Sequence, residues 1–316
     1  MNLKKRAKIL QLAYGEMAPH ALQTLSQHFK VCAIITPSLT DRSHRQPLPV
    51  EVTAKKLCIP IIRDSRLSTI EQAVKKYQPQ AVVIASYDKI IPAKTLNLTK
   101  FINIHHGDLP RWRGRANINW AIILGKKYIG LTIHQAIPDL DAGAIYAQYR
   151  IPITDSDTVA TIYAKINVTV KAKISTIVKK VLLGFQGRPQ RGQPTYCVTR
   201  LPQDGLIDWH QKTIQIDRLI RALTKPYPGA FTYVNGKKLI IWTAETPQRP
   251  RRYVGRIPGR IALLHPDGVE VLTGDSSLIL KTVNYAGYEG NARDFIATIK
   301  LSLGINWVEL YEHCLR

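Results

Sequence analysis

Short apolar runs alternating with amphipathic stretches dominate the first 136 residues, and this pattern most limits what the chain can fold into. Residues 8–14 and 31–36 read as buried strands, with an amphipathic helix predicted over 19–29 between them. Ala81, Val82, Val83, Ile84 and Ala85 form a third run without a polar position, after a helix ending near Tyr77. Residues 101–105 and 130–136 supply two more strands around a helix at 117–124. A strand with no polar alternation is buried on both faces, as happens when helices cover a parallel sheet. Strands taking turns with helices therefore predict a mostly parallel, doubly wound α/β domain, whose ligands sit beyond the carboxyl ends of the strands. A long helix over 155–183, rich in Lys, Ile and Val, closes it.

The pattern then changes. Residues 184–194 are polar and rich in Gly and Pro, a linker composition. Beyond them, runs at 229–233, 238–244, 259–265, 269–273 and 278–283 are short and separated by turn signals such as Asn235-Gly236. This predicts a small antiparallel barrel. The expected division is 1–183, a linker over 184–203, and 204–316, which suits a length of 316 residues with 45% hydrophobic content.

Composition narrows the function classes. No apolar run approaches the ~18 residues that suggest a membrane span, and the basic N-terminus carries too short an apolar stretch for a signal peptide, so a cytoplasmic location is expected. Cys32, Cys58, Cys197 and Cys314 show neither a Cys-x-x-Cys nor a metal spacing, and no metal site is predicted. Forty-five Lys and Arg against 22 Asp and Glu give a formal charge of +23. Such a surplus attracts polyanions, though it equally describes a merely soluble basic protein.

Chemistry concentrates in one stretch. Asn103-Ile104-His105 ends a predicted strand, Leu109-Pro110-Arg111-Trp112-Arg113-Gly114 follows in a loop, and Asp141-Ala142-Gly143 lies 36 residues after His105. An amide can donate to a developing oxyanion, an imidazole can hold or move a proton near neutral pH, and a carboxylate can orient the imidazole or take a proton. Singly, Asn103 is an ordinary strand-end group, His105 a satisfied core histidine and Asp141 a loop cap. His134, on the alternating strand 130–134, is read as structural. Arg113 and Arg115 are either solvated loop charges or a phosphate fork.

Together these motifs resemble formyltransferases that use 10-formyltetrahydrofolate, a family carrying Asn-x-His, a loop ending Leu-Pro-x-aromatic-Arg-Gly, and Asp-x-Gly about 35 residues on. The resemblance extends over nearly the whole chain. It implies a Rossmann-like formyltransferase domain followed by an OB-like barrel, with Asn103, His105 and Asp141 as catalytic groups. It also implies 10-formyltetrahydrofolate as formyl donor, in a pterin pocket begun by Ser86, Tyr87, Asp88 and Ile90 and closed by Ile137 and Leu140. Arg113, Gly114 and Arg115 are expected to bind the acceptor. One departure is His106-Gly107-Asp108 where the family reads x-Ser-Leu, which introduces a carboxylate beside the reacting centre. The acceptor is expected to be the primary amine of a nucleotide-linked amino sugar, favoured by Gly114-Arg115-Ala116 and Pro226-Tyr227-Pro228-Gly229-Ala230-Phe231. Methionyl-tRNA is the alternative, favoured by the charge and by a basic loop at 40–45. A non-catalytic RNA-binding protein on the same scaffold is a third reading.

Overall fold

The computed structural model describes residues 6–38 and 48–305. Its first strands and helices are β1 (Lys8–Ala13), α1 (Ala18–His28), β2 (Lys30–Ile35), α2 (Leu48–Lys56), β3 (Ile61–Ile62), α3 (Leu67–Tyr77), β4 (Ala81–Ala85), α4 (Ala93–Leu96) and β5 (Lys100–His105). There follow β6 (Arg113–Gly114), α5 (Asn117–Ile123), β7 (Tyr128–Gln135), β8 (Ile145–Pro152), α6 (Val159–Leu182) and β9 (Tyr196–Cys197). The chain forms two compact units, Met1–Asn117 with Tyr128–Pro152 and Thr161–Thr199, and Ile118–Lys127 with Ile153–Ala160 and Arg200–Arg316.

In the first unit seven strands make one sheet in the order β3-β2-β1-β4-β5-β7-β8. The pairs from β3 through β5 are parallel, while β5/β7 and β7/β8 are antiparallel. The sheet is thus mostly parallel with an antiparallel edge. Strand β4 is buried at every position, as its unbroken apolar run predicts. Leu10, Leu12, Ile35, Val82, Ile84 and Phe101 pack with Ile70 and Val74 of α3 in one core cluster. The order reverses at β1, so crossovers leave on opposite sides there, and a crevice opens beyond the carboxyl ends of β1, β4 and β5.

Antiparallel pairing of β5 with β7 fixes a register that the apolar pattern does not encode. It sets Asn103 opposite His134 and His105 opposite Thr132. The segment expected as a linker is partly ordered: Ile145 and Arg188 exchange backbone hydrogen bonds at 2.8 and 2.9 Å, and β9 pairs with β6.

The second unit contains α7 (Thr213–Leu223), β10 (Ala230–Val234), β11 (Lys237–Ile241), β12 (Ala244–Glu245), β13 (Ile261–His265), β14 (Gly268–Leu272), β15 (Ser277–Leu280), β16 (Thr282–Tyr285), β17 (Tyr288–Asn291) and α8 (Ala292–Phe295). Its strands form two four-stranded antiparallel sheets, β10-β11-β16-β17 and β12-β15-β14-β13. Two of the runs read as single strands, 238–244 and 278–283, are each divided between the two sheets. Asn235 and Gly236 join β10 to β11 with φ of 48° and 71°, the two-residue turn that asparagine and glycine admit.

Candidate active site

A cavity of about 330 Å³ lies at the carboxyl ends of β4 and β5, within the range of small-molecule sites. Asn103 and His105 reach it from the end of β5, and Asp141 from the loop between β7 and β8. The Asp141 carboxylate stands between two imidazoles, with Oδ2 3.5 Å from His105 Nδ1 and Oδ1 3.5 Å from His134 Nε2. Gly114 N–H donates to Oδ2 at 2.9 Å, and Asn103 Nδ2 donates to Oδ1 at 3.3 Å.

The tautomers follow from the outer partners. His105 Nε2 is 2.7 Å from the Trp112 carbonyl, an acceptor only, so this nitrogen carries the hydrogen. In the neutral ring Nδ1 is then a lone pair facing Asp141. His134 Nδ1 likewise donates to the Gln135 carbonyl at 2.7 Å, and its Nε2 accepts from Asn103 Nδ2 at 3.0 Å. Burial pushes the His105 pKa below its ordinary value of 6.5, against the opposing pull of Asp141. Burial also works against ionisation of Asp141, but the charge of His105, the contact with His134 and the Gly114 N–H overcome it. Its carboxyl is held well below the usual carboxylate range. With the ring neutral, the pair is a carboxylate facing the unprotonated Nδ1, one proton short of its fully protonated form.

The backbone around the cavity is unusual. Ser86, Trp112, Ala116 and Asp141 have φ of 77°, 65°, 57° and 47°, left-handed conformations that side chains with a Cβ seldom adopt. Such residues persist where the surroundings over-determine them, and they cluster at functional sites. Gly107 serves a different need. A Cβ there would meet His105 Nε2 and the Trp112 carbonyl oxygen, both at 2.5 Å, so a serine in its place would break the contact that sets the His105 tautomer.

Ser86, Tyr87, Asp88, Ile90, Ile137 and Leu140 all line the same cavity. Ile90 is 62% exposed and Leu140 44%, an apolar pair left open to solvent at the cavity. Tyr87 is held by its hydroxyl donating to the Ser65 carbonyl at 3.0 Å. Gly114 and Arg115 line the cavity as well, and Arg115 donates to the Asp88 carbonyl.

Three residues stand in surroundings that the sequence does not show. Arg113 does not line the cavity; its guanidinium donates to Gln190 Oε1 at 2.7 Å and lies over the Tyr196 ring. Asp108 adds no charge at the reacting centre, because it is paired with Arg111 at 2.7 Å and accepts from the Tyr128 hydroxyl at 3.2 Å. His134 is no mere core residue, since it touches both Asn103 and Asp141. Sequence reasoning also passed over Asn117, whose amide donates to the Trp112 carbonyl at 2.5 Å, and Gln190, which donates to the Asp141 carbonyl at 2.7 Å. The basic loop at 40–45 and Cys314 lie outside the described residues.

Comparison with known proteins identifies the family. The formyl transferase family model matches residues 7–178, and the model of the formyl transferase C-terminal domain matches 201–299. The chain is 32% identical over 250 residues to the bifunctional polymyxin resistance protein ArnA of Wigglesworthia glossinidia brevipalpis, covering 75% of this chain but 38% of that protein. It is 27% identical over 308 residues to methionyl-tRNA formyltransferase of Geotalea uraniireducens (strain Rf4), covering 94% of this chain and 96% of the relative. The structure of HypX from Aquifex aeolicus in complex with tetrahydrofolic acid superimposes with a TM-score of 0.67 at 18% identity, over 92% of this chain and 47% of that one. That last likeness speaks for the fold. The first family model alone spans more than half of the 316 residues, and the chain belongs to the formyl transferase family.

Proposed function

We propose that the chain transfers a formyl group from 10-formyltetrahydrofolate to a primary amine, and that the amine belongs to a nucleotide-linked amino sugar. The observation that carries formyl transfer is the meeting of Asn103, His105 and Asp141 in one cavity whose other walls are the loops after β4 and β7. HypX, a neighbour in fold, is described with tetrahydrofolic acid bound. We read Ser86, Tyr87, Asp88 and Ile90 as one wall of the pterin site and Ile137 with Leu140 as the other. The apolar side chains would sandwich the flat ring while loop backbone groups bond its edge. The two antiparallel sheets after residue 200 are read as an OB-like domain.

The mechanism follows from the proton count. A neutral amine attacks the formyl carbon, forming the new C–N bond and a tetrahedral oxyanion. Asn103 is the donor for that oxyanion, giving up its long 3.3 Å bond to Asp141 as charge develops. The attacking nitrogen must lose a proton, and the His105–Asp141 pair is one proton short, so the proton is held at His105 Nδ1 against Asp141. As the bond from N10 to the formyl carbon breaks, the pair returns that proton to N10. The products are a formamide and tetrahydrofolate, with no change of redox state.

The amino-sugar acceptor is supported by the 32% identity to ArnA and by the run from Pro226 to Phe231 entering β10. Methionyl-tRNA remains the second reading, favoured by the end-to-end match to a methionyl-tRNA formyltransferase and by the +23 charge. Incubation with 10-formyltetrahydrofolate and each acceptor, with mass detection of the formylated product, tests both. Formylation of a nucleotide amino sugar is the expected result. Failure with every amine would overturn the reading.

A further inference from the structure

We propose that Gln190 is a positioning residue that holds Asp141 in its catalytic place, an inference that rests on the functional reading above. Gln190 belongs to the segment expected as a plain linker, yet one side-chain nitrogen spans the turn that presents Asp141. Nε2 donates to the Asp141 carbonyl at 2.7 Å and to the Gly143 carbonyl at 2.9 Å, gripping the backbone on both sides of Ala142. The amide cannot be turned over, because its oxygen would then face two carbonyls and its nitrogen a guanidinium. Arg113 Nη2 donates to Oε1 at 2.7 Å and so fixes the orientation. Arg113 thus acts through Gln190, which explains a half-buried arginine beside the site that does not line it.

The need for a clamp is visible at Asp141 itself. Its φ of 47° is a conformation that an L-residue leaves unless its surroundings hold it. If the turn relaxed, Oδ2 would leave the Gly114 N–H at 2.9 Å and the His105 Nδ1 at 3.5 Å. The same segment supports the opposite loop. Thr195 Oγ1 accepts from Trp112 N–H at 3.0 Å, and the Thr195 carbonyl from Arg113 N–H at 2.9 Å. Trp112 in turn supplies the carbonyl that sets the His105 tautomer. Residues 188–197 are in this way a strap across both loops that define the His105–Asp141 pair.

The test uses two near-isosteric changes in the full chain. Gln190→Met removes both donor and acceptor, whereas Gln190→Glu keeps an acceptor for Arg113 and removes the N–H groups from the turn. Both should lower kcat about 10²-fold, the cost of a misplacement near 1 Å, while 5-formyltetrahydrofolate affinity stays within about twofold. In an Asp141→Asn background neither change should cost much more. The His105 imidazole, which faces Asp141 and His134 and feels the more distant charge of Arg113, should titrate at lower pH in Gln190→Met by NMR, because its carboxylate partner has moved. Wild-type kcat in both variants, loss in Gln190→Met alone, or a matching loss of folate affinity would each overturn the proposal. Absence of formyl transfer by the wild-type chain counts against the functional reading only. The histidine titration then judges the clamp by itself: a downward shift supports it and an unmoved titration overturns it.

Discussion

Between Asp141 and its two imidazoles, one carboxylate is shared by groups that differ in what they can still do. His134 has Nδ1 committed to a carbonyl and Nε2 to Asn103, whereas His105 keeps Nδ1 open toward the carboxylate. Under the proposed mechanism the proton of the reaction belongs to His105 and Asp141 as a unit. His105→Ala and Asp141→Asn should each reduce turnover by roughly 10² to 10⁴-fold, and the double variant should lose little more. Steady-state kinetics on the four proteins measures this, and additive losses would refute the coupling. The sign of the pH dependence follows from burial. With the His105 pKa below 6.5, the unprotonated base dominates above that value, so turnover should fall on acidification only below it. A limb centred above 7 would assign the profile to another group. Gly107 supplies the third test. The Cβ of Gly107→Ala falls on His105 Nε2 and the Trp112 carbonyl, so the variant should lose activity and about 1–3 kcal/mol of stability, read from chemical denaturation.

At the scale of elements, the loop between β5 and β6 carries a histidine with a different task. His106 meets the Tyr163 ring of α6 edge-on with centroids 5.6 Å apart, and its Nε2 is buried without a hydrogen-bond partner. Burial, aided by the charge of His105, pushes its pKa down to about 3. A histidine that binds its proton less readily when folded leaves the unfolded chain with the greater affinity for protons. Its contribution to stability is therefore full above about 6.5 and is lost as pH falls toward 3. His106→Phe keeps the ring contact and removes the titration, so its melting temperature should fall less steeply than that of the wild type between pH 6 and 4. Parallel slopes would show that His106 titrates normally. The same loop shows what a single sequence can and cannot tell. The buried run of β4, the strand ending in Asn103 and His105, and the Asn235-Gly236 turn were legible because period and turn chemistry are local. The pairing of Asn103 with His134 was not, since register between strands 31 residues apart depends on the packing of both. The strap was missed for a related reason. Gly, Pro and Gln between domains read as solvated connection, and only the folded chain puts Gln190 against Asp141. The partner of Arg113 was not legible either, because a guanidinium beside a site reads the same whether it faces a phosphate or a glutamine.

For the molecule as a whole, the surplus of positive charge and the acceptor are one question. A chain of 316 residues with +23 attracts any polyanion, so weak association with RNA is expected under either reading and decides nothing. The slope of affinity against salt does decide. Each neutralised phosphate releases condensed counterions, and a tRNA contacted at several phosphates should lose affinity steeply between 50 and 200 mM salt, with log–log slope near −0.7 to −0.9 per contact. A nucleotide sugar brings only a diphosphate. Arg113 is tied to Gln190, which leaves Arg115 as the guanidinium that lines the cavity and can reach a charged group on the acceptor. Under the favoured reading, kcat/KM for the amino sugar changes little with salt and Arg115→Ala raises KM about tenfold or more, the loss of one charge-assisted contact. Arg42→Ala with Arg45→Ala, in the basic loop outside the described residues, should leave that activity nearly unchanged. Formylation of methionyl-tRNA that is efficient, falls steeply with salt and disappears in the Arg42/Arg45 double variant would reverse the assignment. The +23 charge would then be the footprint of the substrate.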